Sequence, residues 1–136
     1  MRNTVVRSAL LVALSLIAAT TASAHHSFAP YEQEKQIKLV GTVEEFLWQN
    51  PHVYIQLRGA EEGQEEQVWL IECANPGILN RVGWKFNMIE TGDRITIAAA
   101  PMRTGQPAAL LKAIKLPDGR IFGNGGPAGP ATISLE

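Results

Sequence analysis

The sequence predicts an all-β fold, a five-stranded OB-like antiparallel barrel with one short helix between strands three and four. Three observations carry that prediction. Five β-rich stretches follow one another with turn signals between them, the first of them long and glycine-containing. In the second, Val53, Ile55 and Leu57 alternate with His52, Tyr54, Gln56 and Arg58, which gives one apolar and one polar face. Between the third and fourth, Asn75-Pro76-Gly77 breaks the β pattern and opens a short helical one. A different small antiparallel barrel or sandwich is the alternative.

The chain has 136 residues and divides unevenly. Residues 1–24 read as a signal peptide. Arg2 and Arg7 form its positive start, residues 8–19 its short apolar core, and Ala22-Ser23-Ala24 the small-residue cleavage pattern. The apolar run is too short to span a bilayer comfortably, so no stable membrane insertion is expected after cleavage. Removing 24 residues from 136 leaves 112 and takes away two arginines, so 10 basic face 13 acidic side chains, a net charge of −3. The mature protein is thus expected to be a mildly acidic, periplasmic domain beginning at His25. With Cys73 alone it can form no internal disulfide, whatever the compartment.

Residues 25–36 follow as a polar, poorly periodic extended arm, and residues 37–122 as the barrel domain. Strand one is expected from Ile37 to Trp48, with Gly41 as a bulge or coil point. Asn50-Pro51 is a turn, and strand two follows. Glu61, Glu62, Glu65 and Glu66 around Gly63 suit a solvated hairpin loop; the run lacks the spacing of a calcium loop. Residues 68–73 form strand three and residues 78–83 the short helix, closed by Gly83. Thr91-Gly92-Asp93 turns into strand four at residues 94–98. Residues 109–116 are strand five, and the Gly/Pro-rich segment 123–136 reads as a flexible tail.

The fold class leaves the function open. A net charge near zero offers no basic footprint, and export argues the same way, so nucleic acid is not expected as a partner. The chain carries no phosphate-binding glycine loop, metalloprotease helix or serine elbow, and it reads as a binding or accessory protein rather than an enzyme. Cys73 reads as a buried thiol.

The histidines are the most informative residues. Cleavage after Ala24 gives His25 a free α-amine of pKa about 8 beside its imidazole, and the two nitrogens can close a chelate ring on a metal. A second imidazole would complete a planar nitrogen site, which suits Cu(II). His26 adjoins it, and His52 is the remaining histidine. Copper bound by His25, His26 and His52 is one expectation. A frayed polar start, with His52 tying down its own turn, is the other.

Glu72 interrupts an apolar strand. It could orient a ligating histidine, but strand alternation opposes it to Trp69 and Ile71, which favours a solvent-facing position. Trp48, Trp69 and Trp84 with Tyr54 could stack on a sugar or pack the core. A metal-free module binding a periplasmic protein or saccharide would use the polar, aromatic face around Trp48, Asn50, Tyr54, Trp69 and Glu72.

H-H-S-F (His25, His26, Ser27, Phe28) and W-Q-N-P-H-V (Trp48 to Val53, with Asn50, Pro51 and His52) stand out together with N-P-G-I-L-N-R-V-G-W at Asn75 to Trp84. G-T-V (Gly41 to Val43) accompanies them, with T-G-D and D-G-R as commoner turns. The set resembles a family of small exported bacterial proteins that begin H-H-S-F directly after the signal peptide, a domain of unknown function. The resemblance implies a periplasmic location and a small β-fold, and it places the N-terminal histidines and His52 in one pattern. It implies no activity.

Overall fold

The computed structural model describes residues 29–125 and 134–136. Its frame is six strands and one helix: β1 (Ile37–Leu47), β2 (Tyr54–Ala60), β3 (Gln67–Glu72), α1 (Pro76–Arg81), β4 (Arg94–Pro101), β5 (Ala108–Lys115) and β6 (Ile121–Gly123). β1 pairs with both β2 and β4, β2 with β3, and β4 with β5, all antiparallel. A short parallel pairing of Leu70–Glu72 with Ala108–Leu110 closes the five-strand barrel. This is the expected OB-like barrel, with its helix between strands three and four.

Alternation produces the interior. Ile37, Leu39 and Val43 on β1, Val53, Ile55 and Leu57 at β2, Trp69 and Ile71 on β3, and Ile95 and Ile97 on β4 all point into one core. α1 closes one end. Its Asn75 N-cap accepts from the Ile78 N–H at 2.9 Å, proline stands in the first turn, and Leu79 is the buried contact. Trp84, just beyond the helix, is fully buried and donates its indole N–H to the Gly123 carbonyl at 3.0 Å. Among the described residues no helix is long and apolar enough to cross a membrane.

Several local expectations change. The bulge in β1 lies at Glu44, where the register slips between Val43 and Glu45, and not at Gly41. Gly41 faces Gly59, and an added Cβ would collide with the Arg58 carbonyl oxygen and the Gly59 Cα. Two strands cross there at backbone contact, which only glycine permits. The segment 123–136 is packed at both described ends. Gly123 belongs to β6, and Leu135 is buried against Ala98 and Ala113. Asn124 fills the point where β3 leaves β5 and β6 begins, accepting from the Ala74 N–H at 2.7 Å and donating its backbone N–H to the Lys112 carbonyl at 3.2 Å.

Candidate functional site

The residues that could do chemistry meet on the outer face of the barrel, at the start of β2. Tyr54 pairs with Glu72 across β2 and β3. The ladder runs past the strand ends, since the Val53 N–H donates to the Ala74 carbonyl and the Cys73 N–H to the Val53 carbonyl. Antiparallel alternation therefore sets His52 on the same face as Tyr54 and diagonal to Glu72. His52 Nδ1 lies 2.8 Å from Glu72 Oε1, an ion-pair contact. The His52 and Tyr54 rings stand edge to face, 6.4 Å apart.

The other oxygen of Glu72 is also engaged. Tyr31, from the arm, donates its hydroxyl to Glu72 Oε2 at 2.7 Å, forty-one residues away in sequence. The arm reaches it by running beside the end of β4. The Glu32 N–H donates to the Pro101 carbonyl, the Arg103 N–H to the Pro30 carbonyl, and Tyr31 bridges Met102. The Tyr31 ring is buried on Ala100 and Leu110, outside the barrel, and Leu110 is the β5 partner of Glu72. One tyrosine thus covers the apolar outer patch of β4 and β5 and reaches the carboxylate on β3.

This corrects the solvent-facing position expected for Glu72. Alternation does turn it away from the core, but the arm covers it, and its side chain is only 13 % exposed against 26 % for His52. Burial first, then the hydrogen bond to Glu72 and its negative charge, raise the Tyr31 phenol well above its ordinary pKa, so it stays a donor. Tyr54 is raised in the same direction by burial and by Glu72. Glu72 Oε1 thus faces Nδ1 of His52, and Nε2 is the ring nitrogen turned from the carboxylate.

The remaining candidates separate. His25 and His26, like Ser27, Phe28 and the signal segment, lie outside the described residues. Among the described residues no group of three or more His, Cys, Asp and Glu side chains is placed to hold a metal. Asn50 is exposed beside the cis Asn50–Pro51 bond, and Trp48 packs edge to face on Phe46 at 5.8 Å. Trp69 is 7 % exposed and points inward, so it shares no face with Tyr54. Together with the buried Trp84, this removes the expected aromatic platform.

Trp69 instead lines a cleft of about 500 Å³ at the far end of β3, with Glu61, Gln64, Glu65, Glu66 and Gly105. Its buried indole N–H has no hydrogen-bond partner among the described residues. Cys73 is fully buried, and burial pushes its thiol pKa up, which keeps it protonated and unreactive at neutral pH. Tyr31 is the residue of this corner that sequence reasoning missed. Its signal was a lone aromatic in a charged segment.

Two similar solved structures are crystal structures of the S. cerevisiae mitochondrial single-stranded DNA binding protein Rim1, form 2, one of them selenomethionine-labelled. Both are 15 % identical to this chain. The first has a TM-score of 0.46 and covers 61 % of this chain and 93 % of its own. The second has a TM-score of 0.45, with 60 % and 92 % covered. At that identity the likeness concerns the fold alone. The expectation that excluded nucleic acid is corrected by this finding: chains of similar fold are named as single-stranded DNA binding proteins. No curated protein matches the sequence. A family model does match, over residues 13–111, most of the chain and all of the His52, Glu72 and Tyr31 corner; the protein belongs to DUF6152, a family of unknown function.

Proposed function

We propose that the protein is an exported, periplasmic copper-binding module, a binding rather than a catalytic protein, in which His52 supplies one imidazole and the mature N-terminus supplies the α-amine and imidazole of His25, with His26 as an additional or substitute ligand. The observation that carries this reading is the chain of contacts His52–Glu72–Tyr31, an ion-pair distance of 2.8 Å followed by a hydrogen bond of 2.7 Å. A solvated turn histidine needs no such support, whereas a metal-binding imidazole gains basicity and a fixed direction from a carboxylate on its other nitrogen. The arm supplies the second argument. His25 lies six residues before Tyr31, so at about 3.3–3.6 Å per residue its amine is tethered within roughly 20 Å of the residue that touches Glu72. Nitrogen donors of this kind favour Cu(II) among the common divalent ions.

The test is Cu(II) affinity measured by competition with a chelator, on mature protein whose mass begins at His25. Replacing His25 and His52 together is expected to weaken binding at least about a hundredfold, beyond the range typical of supporting residues alone. Unchanged affinity in that double variant removes the copper reading.

A second reading has one observation in its favour, the unpartnered Trp69 N–H in its carboxylate-lined cleft. Hydroxyl groups of a saccharide would accept from the indole and donate to the glutamates. Under this reading Trp69→Ala lowers saccharide or partner binding and a chelator changes nothing.

A further inference from the structure

We infer that the cleft beside Trp69 takes a saccharide bearing a free amine, an amino sugar in its ammonium form, in preference to a neutral one. This inference rests on the second reading above and names the ligand class of that cleft. Glu61, Glu65 and Glu66 line its 500 Å³ together with Gln64 and Trp69, and the lining holds no lysine or arginine. None of the three glutamates is ion-paired among the described residues. Glu61 and Glu66 also border a neighbouring hollow, where Lys38 and Arg94 stand. Glu65 borders the cleft and not that hollow, so its charge belongs to the cleft.

An acidic surface alone would draw in any cation. Trp69 makes a second demand. It is 7 % exposed, and its indole N–H has no partner among the described residues. A buried donor left unpaired costs free energy that an acceptor brought by a ligand recovers. A bare ammonium or guanidinium offers no acceptor, whereas a sugar hydroxyl both accepts and donates. An amino sugar carries its charge and a hydroxyl on neighbouring carbons, close enough to serve the glutamates and the indole within one small cleft. A lysine holds its charge at the end of a four-carbon stem, away from its own carbonyl. The volume is that of a small-molecule site. The N–H is covered, so a hydroxyl reaches it as the loop side chains give way, and Gln64, Glu65 and Glu66 are the exposed side chains that would move.

The probes are the 1,4-linked dimer of glucosamine, its glucose counterpart cellobiose, the diamine putrescine and an acetylated dilysine amide. The dimer has the skeleton of cellobiose with amines in place of two hydroxyls. Putrescine has the same charge without hydroxyls, and the dilysine has that charge with peptide carbonyls. Affinities are read from amide chemical shifts of residues 61–69 at about pH 6, where amines of this kind are protonated. Exposed ion pairs are individually weak, so the glucosamine dimer is expected to bind about tenfold tighter than cellobiose. Glu65→Gln is expected to remove at least about threefold of that margin, and about 0.5 M salt most of it.

Trp69→Phe separates the N–H from the charge. It is expected to weaken the dimer and cellobiose alike, by about fivefold, and to leave putrescine unchanged. Putrescine or the dilysine binding as tightly as the dimer overturns the inference. Equal binding of cellobiose and the dimer also overturns it, while the saccharide reading beneath it stands. If neither sugar binds, both fall.

Discussion

Two ends of the same strand treat their polar groups in opposite ways. At the C-terminal end of β3, Glu72 is largely covered, yet each of its oxygens has a partner, His52 Nδ1 at 2.8 Å and the Tyr31 hydroxyl at 2.7 Å. At the other end, Trp69 keeps a buried indole N–H without a partner while Glu61, Glu65 and Glu66 stand around it in water. The first end is a connected network centred on Glu72, whose removal strands both of the others. The second is a collection of neighbours that do not depend on one another. Pre-organisation belongs to the covered end, and that is the physical ground on which the proposed copper site is put there.

The contrast predicts a hierarchy of effects. Glu72→Ala is expected to be the most damaging of these changes, at about 2 kcal/mol, because it leaves the Tyr31 hydroxyl and the His52 Nδ1–H without their acceptor in a covered position. Denaturant unfolding checks it. A cost near zero would mean that the corner is wetter and looser than its geometry.

Alkaline titration of stability comes next. Tyr31 and Cys73 both have pKa values raised in the folded protein, chiefly by burial. A group raised on folding contributes stability that is complete below its unfolded pKa and is lost as pH climbs from there toward the folded value. Stability should therefore begin to fall above about pH 8.5, where an unfolded thiol ionises, and fall more steeply past about pH 10, where an unfolded phenol does. Tyr31→Phe should flatten the second part of the decline and Cys73→Ala the first. A decline unaffected by either variant would contradict the assignment.

At the open end the expected changes are small. Trp69→Phe removes an N–H that has no partner among the described residues, so its cost is that of a changed shape alone, under about 1.5 kcal/mol. Glu65→Gln, on an exposed loop, is expected to stay within about 0.5 kcal/mol. Should Glu65→Gln prove as costly as Glu72→Ala, the contrast between the two ends would be lost.

Much of the barrel was legible because its signals are local. Val53, Ile55 and Leu57 alternate within five residues and are all buried, and Asn75-Pro76 starts the helix with a cap that lies three residues from its partner. The site was legible only in part. The alternation argument put Glu72 on the correct face, but what covers that face is Tyr31, and nothing within a few residues of either announces the contact. Trp69 shows the opposite failure, since its aromatic character suggested a binding face while the period-two pattern of β3 had already turned it inward. Gly41 was noticed for its flexibility, and what it supplies is the absence of a side chain against Gly59.

The central claim, a copper site assembled from His52 and the mature N-terminus, is tested most directly by native mass spectrometry of protein purified from the periplasm, before and after one equivalent of Cu(II). The account predicts a chain whose mass begins at His25 and which retains one copper against a weak chelator. A chain of that same mass that gives up its copper to the weak chelator would contradict it.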